Sequence, residues 1–349
     1  MRRRDQQVDP RAWVAWAVAA SLVPTLGRNP IALGATLIVV IAVREAWRPW
    51  ARQFASWSLI MRMALVFALI GVLFNVLTYH GGDWAIYELP EWLPIIGGTL
   101  TLNALLYGSL SGLALLILVL IGTTVGALIN WSELLRRLPG RLMPVAVAGT
   151  VAFAFVPQTA QAYQQIREAQ LARGHRIRGA RDLLPLLVPL LTLGLERAIT
   201  LSEAMESRGF GAPRSPGATS SSWRRGGVAI ALTGIVSAGY LLAVGRPGEG
   251  AIALALGIVL FVVGLRGGET RRTVFRATKL SGRDWAVIVA SVSVAIVVFV
   301  VLSVDPDALR YEPYPSIEVP RVNLPMLLAL AALLTPALAT PADRSAHDA

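Results

Sequence analysis

The 349 residues contain no cysteine, a single lysine (Lys279) and three histidines. The absence of thiols excludes disulfides, thiolate metal sites and iron–sulfur ligation. A phosphate-binding loop of the GxxxxGK[ST] type needs a lysine, and the surroundings of Lys279 read ATKLSG. The chain therefore cannot supply a P-loop, and any ATP hydrolysis it depends on must occur on another polypeptide. His80, His175 and His347 have no second ligand at a metal-binding spacing on one helical face, so no metal site is expected. No carboxylate pair has a nucleophile or pocket to serve, and neither catalytic residues nor a cofactor are expected. Charge is also scarce: 15% of residues are charged and 55% hydrophobic, with a mean hydropathy of +0.59. A soluble domain carries nearer a quarter charged residues, so the composition is that of a membrane protein.

Long apolar runs are what fills the space. Those able to cross, or nearly cross, a hydrocarbon layer of ~30 Å are Ala12 to Leu26, Pro30 to Val43, Leu59 to Thr78 and Asn103 to Ile129. After a polar middle come Gly227 to Val244, Gly250 to Leu265, Trp285 to Val304 and Leu324 to Ala339. The first two are short and read as a tilted or shallow pair. The opening Met1-Arg2-Arg3-Arg4 imitates a secretory signal, but a second apolar run follows at once, so a retained first span is expected.

The net charge of +11 sits in loops. Arg44, Arg48 and Arg52 form one basic loop, Arg136, Arg137 and Arg141 a second, and Arg271, Arg272, Arg276, Lys279 and Arg283 a third. Asp83, Glu88 and Glu91 share a loop without any cation, and the loop from Asp305 to Glu318 is mostly acidic. With the N-terminus inside, eight crossings place every basic loop in the cytoplasm, both acidic loops outside, and the C-terminus inside. This holds only if Leu142 to Thr200 crosses an even number of times or not at all, so that Leu142 to Val156 dips into the bilayer and returns or lies on its face. Clustered basic loops explain the positive charge without nucleic acid. The ten tryptophans lie near the expected boundaries and read as an interfacial belt.

In the polar middle, Gln158 to Arg173 alternates apolar and polar residues at helical spacing, and Leu183 to Arg208 starts apolar and ends polar. Each segment closes on an arginine followed by glycine: Ala172-Arg173-Gly174 and Ser207-Arg208-Gly209. Glycine beyond a helix's last turn can reverse the backbone while the arginine projects outward, and a guanidinium so held suits bidentate capture of a carboxylate. On the residues alone the two ends are basic helix tips facing the cytoplasm, and capping beside anionic lipid would explain them without a protein partner. Glu196, Glu203 and Glu206 are expected to orient the nearby arginines or each other.

The stretches RQFASWS, REAQLARG, LLPLLVPLL and SEAMESRGFG, from about Val8 to Arg214, resemble the transmembrane (T) component of energy-coupling factor transporters, the cobalt/biotin-type uptake permeases. Ser207 stands where alanine is usual in the second motif. The resemblance implies that Ala172, Arg173, Gly174, Ser207, Arg208 and Gly209 end two coupling helices docking onto a pair of ABC ATPase subunits. It further implies a substrate-binding membrane S component, which topples to release a vitamin or metal ion inward.

The expected architecture is thus an all-α polytopic protein of the cell membrane, with about eight spans and two cytoplasmic coupling helices. Residues 1–215 form the T-component-like core; residues 216–349 hold a linker, near Ala212 to Arg225, and a C-terminal membrane extension. Gly108, Gly112, Gly122 and Gly126 fall within about 80° of arc on one helix, at ~100° per residue. They make a groove for packing within the chain or for an S component. A secondary transporter would need ionisable groups at mid-membrane, and a lipid-modifying enzyme a reactive cluster at a boundary; neither is evident.

Overall fold

The computed structural model describes residues 8–50, 57–90, 97–136, 142–174, 180–210, 222–244, 246–265 and 280–340. The chain divides into two compact units: residues 1–130, 232–258 and 274–349 form one, residues 131–231 and 259–273 the other. The architecture is all-α apart from one short hairpin. Among the described residues, six helical segments are long and apolar enough to cross a membrane: Pro30–Trp50, Trp57–Thr78, Leu102–Leu128, Pro144–Ala172, Leu184–Ser207 and Gly282–Val304; shorter apolar helices also occur. The chain is a multi-pass membrane protein.

In the first unit, α1 (Pro10–Leu26) and α2 (Pro30–Trp47) form a hairpin. Each starts on an Asx cap followed by proline: Asp9 accepts from Arg11 N–H, and Asn29 from Ile31 and Ala32 N–H. Such residues occupy helix donors that have no partner within the helix, and proline at the first position has no N–H to satisfy. The third helix, α3 (Trp57–Thr78), leads through the antiparallel strands β1 (Ala85–Leu89) and β2 (Gly98–Thr101) into α4 (Leu102–Leu128). Thr101 caps α4 through Ala104 N–H. α3 and α4 run antiparallel in close contact: a Cβ on Gly108 would lie 3.1 Å from Val72 Cα, and one on Gly112 would lie 3.4 Å from Ala68 Cβ. Backbones that approach this closely need small residues at the seam.

The C-terminal helices belong to the same unit. These are α10 (Gly282–Val304), α11 (Leu324–Ala332) and α12 (Thr335–Leu338). The last apolar run of the sequence is therefore two helices rather than one. α10 starts with a capping box between Ser281 and Asp284. The buried Asp284 carboxylate also accepts the Asp9 backbone N–H at 2.8 Å, joining the starts of α1 and α10. At the other end Leu309, just past α10, accepts from Arg28 N–H and Asn29 N–H, just past α1. The two helices therefore lie parallel.

The tryptophan belt needs correcting. Trp13, Trp16 and Trp47 are at most 2% exposed and pack edge-to-face, with Trp13 centroids 5.9 Å from Trp16 and 5.4 Å from Trp47. Their rings fill the space between α1, α2 and the C-terminal helices, and two indole N–H groups find buried carbonyls, Trp16 on Leu333 (2.9 Å) and Trp47 on Pro336 (2.7 Å). Trp84, Trp131 and Trp285 are exposed, as a boundary role would require, while Trp92 lies outside the described residues.

Between these parts of the chain, α8 (Ser222–Ala243) and α9 (Pro247–Leu265) approach closely at Gly234, where a Cβ would lie 3.3 Å from Gly257 Cα.

The second unit holds α5 (Trp131–Arg136), α6 (Met143–Ala172) and α7 (Leu184–Ser207). The apolar Leu142 to Val156 and the amphipathic half beyond it are one continuous helix of 30 residues, with Pro157 inside. Gln170 near the end of α6 donates to the Pro185 carbonyl at the start of α7, at 3.3 Å.

Candidate functional site: two arginine-tipped helices

Each helix of the second unit ends as its sequence anticipates. In α6, Arg173 has left the helical region (φ −82°, ψ 6°) while its N–H still reaches the Ala169 carbonyl. Gly174 then takes a left-handed φ of +81°, and its N–H returns to Leu171 at 2.9 Å. In α7, Arg208 adopts φ −90° and ψ 9°, Gly209 has φ +74°, and its N–H returns to Glu206 at 2.8 Å. Phe210 N–H closes the turn on Met205 at 3.0 Å. The pair of bonds at α7 is a Schellman ending, and glycine fits at its hinge because a Cβ clashes with the backbone at positive φ.

The same device therefore occurs twice, at the ends of successive helices. Ala172, Arg173, Gly174, Ser207, Arg208 and Gly209 are all exposed. Neither guanidinium has an ion-pair partner among the described residues. Glu196, Glu203 and Glu206 do not orient the arginines: all three are exposed and form no ion pair among the described residues. Because α7 starts beside the end of α6 and then runs 24 residues, the second tip lies about 35 Å along the helix from the first, at ~1.5 Å per residue. His175 lies outside the described residues.

The glycine groove of α4 is split by the structure. Gly108 and Gly112 face α3 of the same chain, whereas Gly122 and Gly126 have no atom within 4 Å of a Cβ built on them. A feature less visible in the sequence is an open groove of about 590 Å³ along α6, lined by Phe155, Val156, Tyr163 and Arg167 with Leu190 of α7. Its wall grades from apolar to cationic toward the Arg173 tip. No group of three or more His, Cys, Asp or Glu side chains able to hold a metal ion occurs among the described residues.

Comparison with known proteins accords with this geometry. The energy-coupling factor transporter transmembrane protein EcfT of Brevibacillus brevis is 35% identical over 112 residues, covering 28% of this chain and 42% of that protein. The EcfT proteins of Leuconostoc gelidum subsp. gasicomitatum (35% over 82 residues, 22% of this chain) and Thermosediminibacter oceani (38% over 79 residues, 21% of this chain) are similar over 31% and 30% of their own lengths. The chain thus spans about a third to two fifths of the curated relatives it matches. The family described as CbiQ, cobalt transport protein, matches residues 1–217, well over half of the chain and including both arginine tips, and the chain belongs to that family.

Proposed function

We propose that this protein is the transmembrane scaffold of an energy-coupling factor importer. It would transmit ATP-driven closure of two partner ATPases to a substrate-binding membrane S component. The observation that carries the reading is the repeated tip: two exposed arginines, each followed by a left-handed glycine, without carboxylate partners among the described residues. A spacing of about 35 Å along α7 suits one tip for each of two subunits. Each tip would enter an acidic groove, where a planar guanidinium pairs in two-pronged fashion with a carboxylate. The chain's own part is mechanical. Long helices move as rods, and α6 and α7 would carry displacement of their ends toward the membrane.

The proposed orientation puts both tips, and both termini, in the cytoplasm. The parallel packing of α1 and α10 supports it, since both helices must then start on the same side. If α1, α2, α3, α4, α8 and α9 each cross once, the α6–α7 region crosses an even number of times. Length and composition alone would let α6 and α7 span, but Glu196, Arg197, Glu203 and Glu206 in the second half of α7 favour a tip in water over one in lipid. Gly122 and Gly126, open on α4, are retained as a proposed contact for the S component.

The test is co-purification of the ATP-binding subunits with tagged protein. Arg173→Ala and Arg208→Ala should each reduce retained ATPase by at least about tenfold without lowering the amount of inserted protein, because removing one partner strands the other's charge. Arginine-to-lysine variants should recover only part of the loss, lacking the planar fork. Unchanged ATPase retention and uptake in both alanine variants would defeat the assignment.

A further inference from the structure

The segment after the matched family region packs against the first hairpin more intimately than a trailing extension needs to. Residues 282–340 meet the first hairpin and α4 at four places. Asp284 holds the start of α1 through Asp9 N–H. The Leu309 carbonyl takes both free N–H groups of the α1–α2 turn, from Arg28 (2.9 Å) and Asn29 (3.0 Å). The Asn29 amide donates to Arg321 (2.9 Å) and Ala308 (3.3 Å), and the Asn103 amide at the head of α4 to Pro313 and Pro315. Trp16 donates to the Leu333 carbonyl just past the end of α11, and Trp47 to the Pro336 carbonyl in α12, which also takes the Ala339 N–H.

Gly27 is the sharpest sign. Its φ of −154° is ordinary extended backbone, so conformation does not require glycine there. Space does: a Cβ would lie 2.3 Å from the Leu309 carbonyl oxygen and 2.4 Å from Leu309 Cβ. The missing side chain inside the family-matched region is thus explained by a residue beyond it. Among the described residues of 1–217 the turn N–H groups and the two indoles have no other acceptor. In a bilayer, unsatisfied donors of this kind cost several kcal/mol each because lipid offers no substitute.

We infer that residues 282–340 act as a tethered membrane subunit, permanently seated on the α1–α2 hairpin and the head of α4, and that residues 1–217 do not complete this bundle by themselves. The docked face is reserved for the chain's own C-terminal helices, so any helical partner must bind elsewhere.

The experiment uses the full-length protein with a protease site inserted between residues 212 and 220 and a tag on the N-terminus. After solubilisation and cleavage, the fragment beginning past the site should stay with the tagged half through washing. Gly27→Ala should cut retention at least tenfold, and the double variant Trp16→Phe, Trp47→Phe, which keeps rings but loses both indole donors, should lower the temperature at which the fragment is released. Gly174→Ala, at the α6 end, should leave retention unchanged. Release of the wild-type fragment on cleavage, or wild-type retention by Gly27→Ala, would overturn the inference. Because the readout involves no ATPase, its failure and failure of the scaffold reading are separable. If Gly27→Ala does not accumulate as intact chain, the tryptophan variant decides: an unchanged release temperature would count against the inference.

Discussion

The two helical pairs α1–α2 and α6–α7 are opposite in how they are held. In the first, three tryptophans are buried, both helices are capped by their own Asx residues, and the turn N–H groups are taken by another part of the chain. In the second, Leu186 is the one buried residue described on α7, α6 buries the small Ala146 and Ala162, and neither helix start has a side-chain cap. One hairpin is a fixed body; the other has the exposed surface and free ends of an arm. That contrast is what the proposed scaffold would require, since displacement of its tips is useful only relative to something that stays put.

The contrast can be broken most forcefully at Trp47. Trp47→Ala removes a fully buried ring and an indole bond, and should cost about 3–5 kcal/mol, read as a lower unfolding midpoint in detergent. Gly174→Ala and Gly209→Ala probe the arm at its hinges. Each forces a side chain into left-handed backbone with no crowding to relieve, for about 1–2 kcal/mol. Fraying of the last turn should show as faster amide exchange at Arg173 or Arg208, with the global midpoint barely moved. Smallest of all should be Leu191→Ala. Leu191 is 63% exposed on α7, and its truncation should shift the midpoint by less than about 0.5 kcal/mol in the isolated protein. A loss comparable to Trp47→Ala would mean that α7 is packed rather than free.

Orientation sharpens the same comparison. Because the chain has no cysteine of its own, single cysteines at positions 173, 208 and 83 report sidedness directly. An impermeant reagent applied to intact cells should label position 83 and neither tip. Labelling at 173 from outside would mean that α6 spans the membrane.

What was legible in the sequence was whatever is local. Arg173-Gly174 and Arg208-Gly209 announced helix endings because a left-handed glycine is decided by the residues around it. The α3–α4 pair was readable from apolar length, and Gly108 and Gly112 from their four-residue spacing. What could not be read was pairing at a distance. Trp16 and Trp47 look like boundary residues because their acceptors lie 317 and 289 positions away, and Gly27 looks like ordinary turn punctuation until Leu309 is placed against it. The carboxylates of α7 misled for a different reason: short sequence spacing from an arginine does not fix where an exposed side chain points.

Tyr314 offers a minor instance of the same kind. Burial, with Tyr79 and Tyr107 beside it, pushes its phenol up to about 12. Among the described residues its hydroxyl has no hydrogen-bond partner.

The junction between the Asp9 backbone and the Asp284 carboxylate has a consequence for synthesis. The first hairpin enters the membrane roughly 275 residues before the carboxylate that will hold it has been made. At about 5–20 residues per second, that is an interval of some 15–60 seconds. Throughout it, two indole donors and an open turn sit in or beside lipid with nothing to bond. A stop codon late in the gene would leave the first hairpin inserted without these partners.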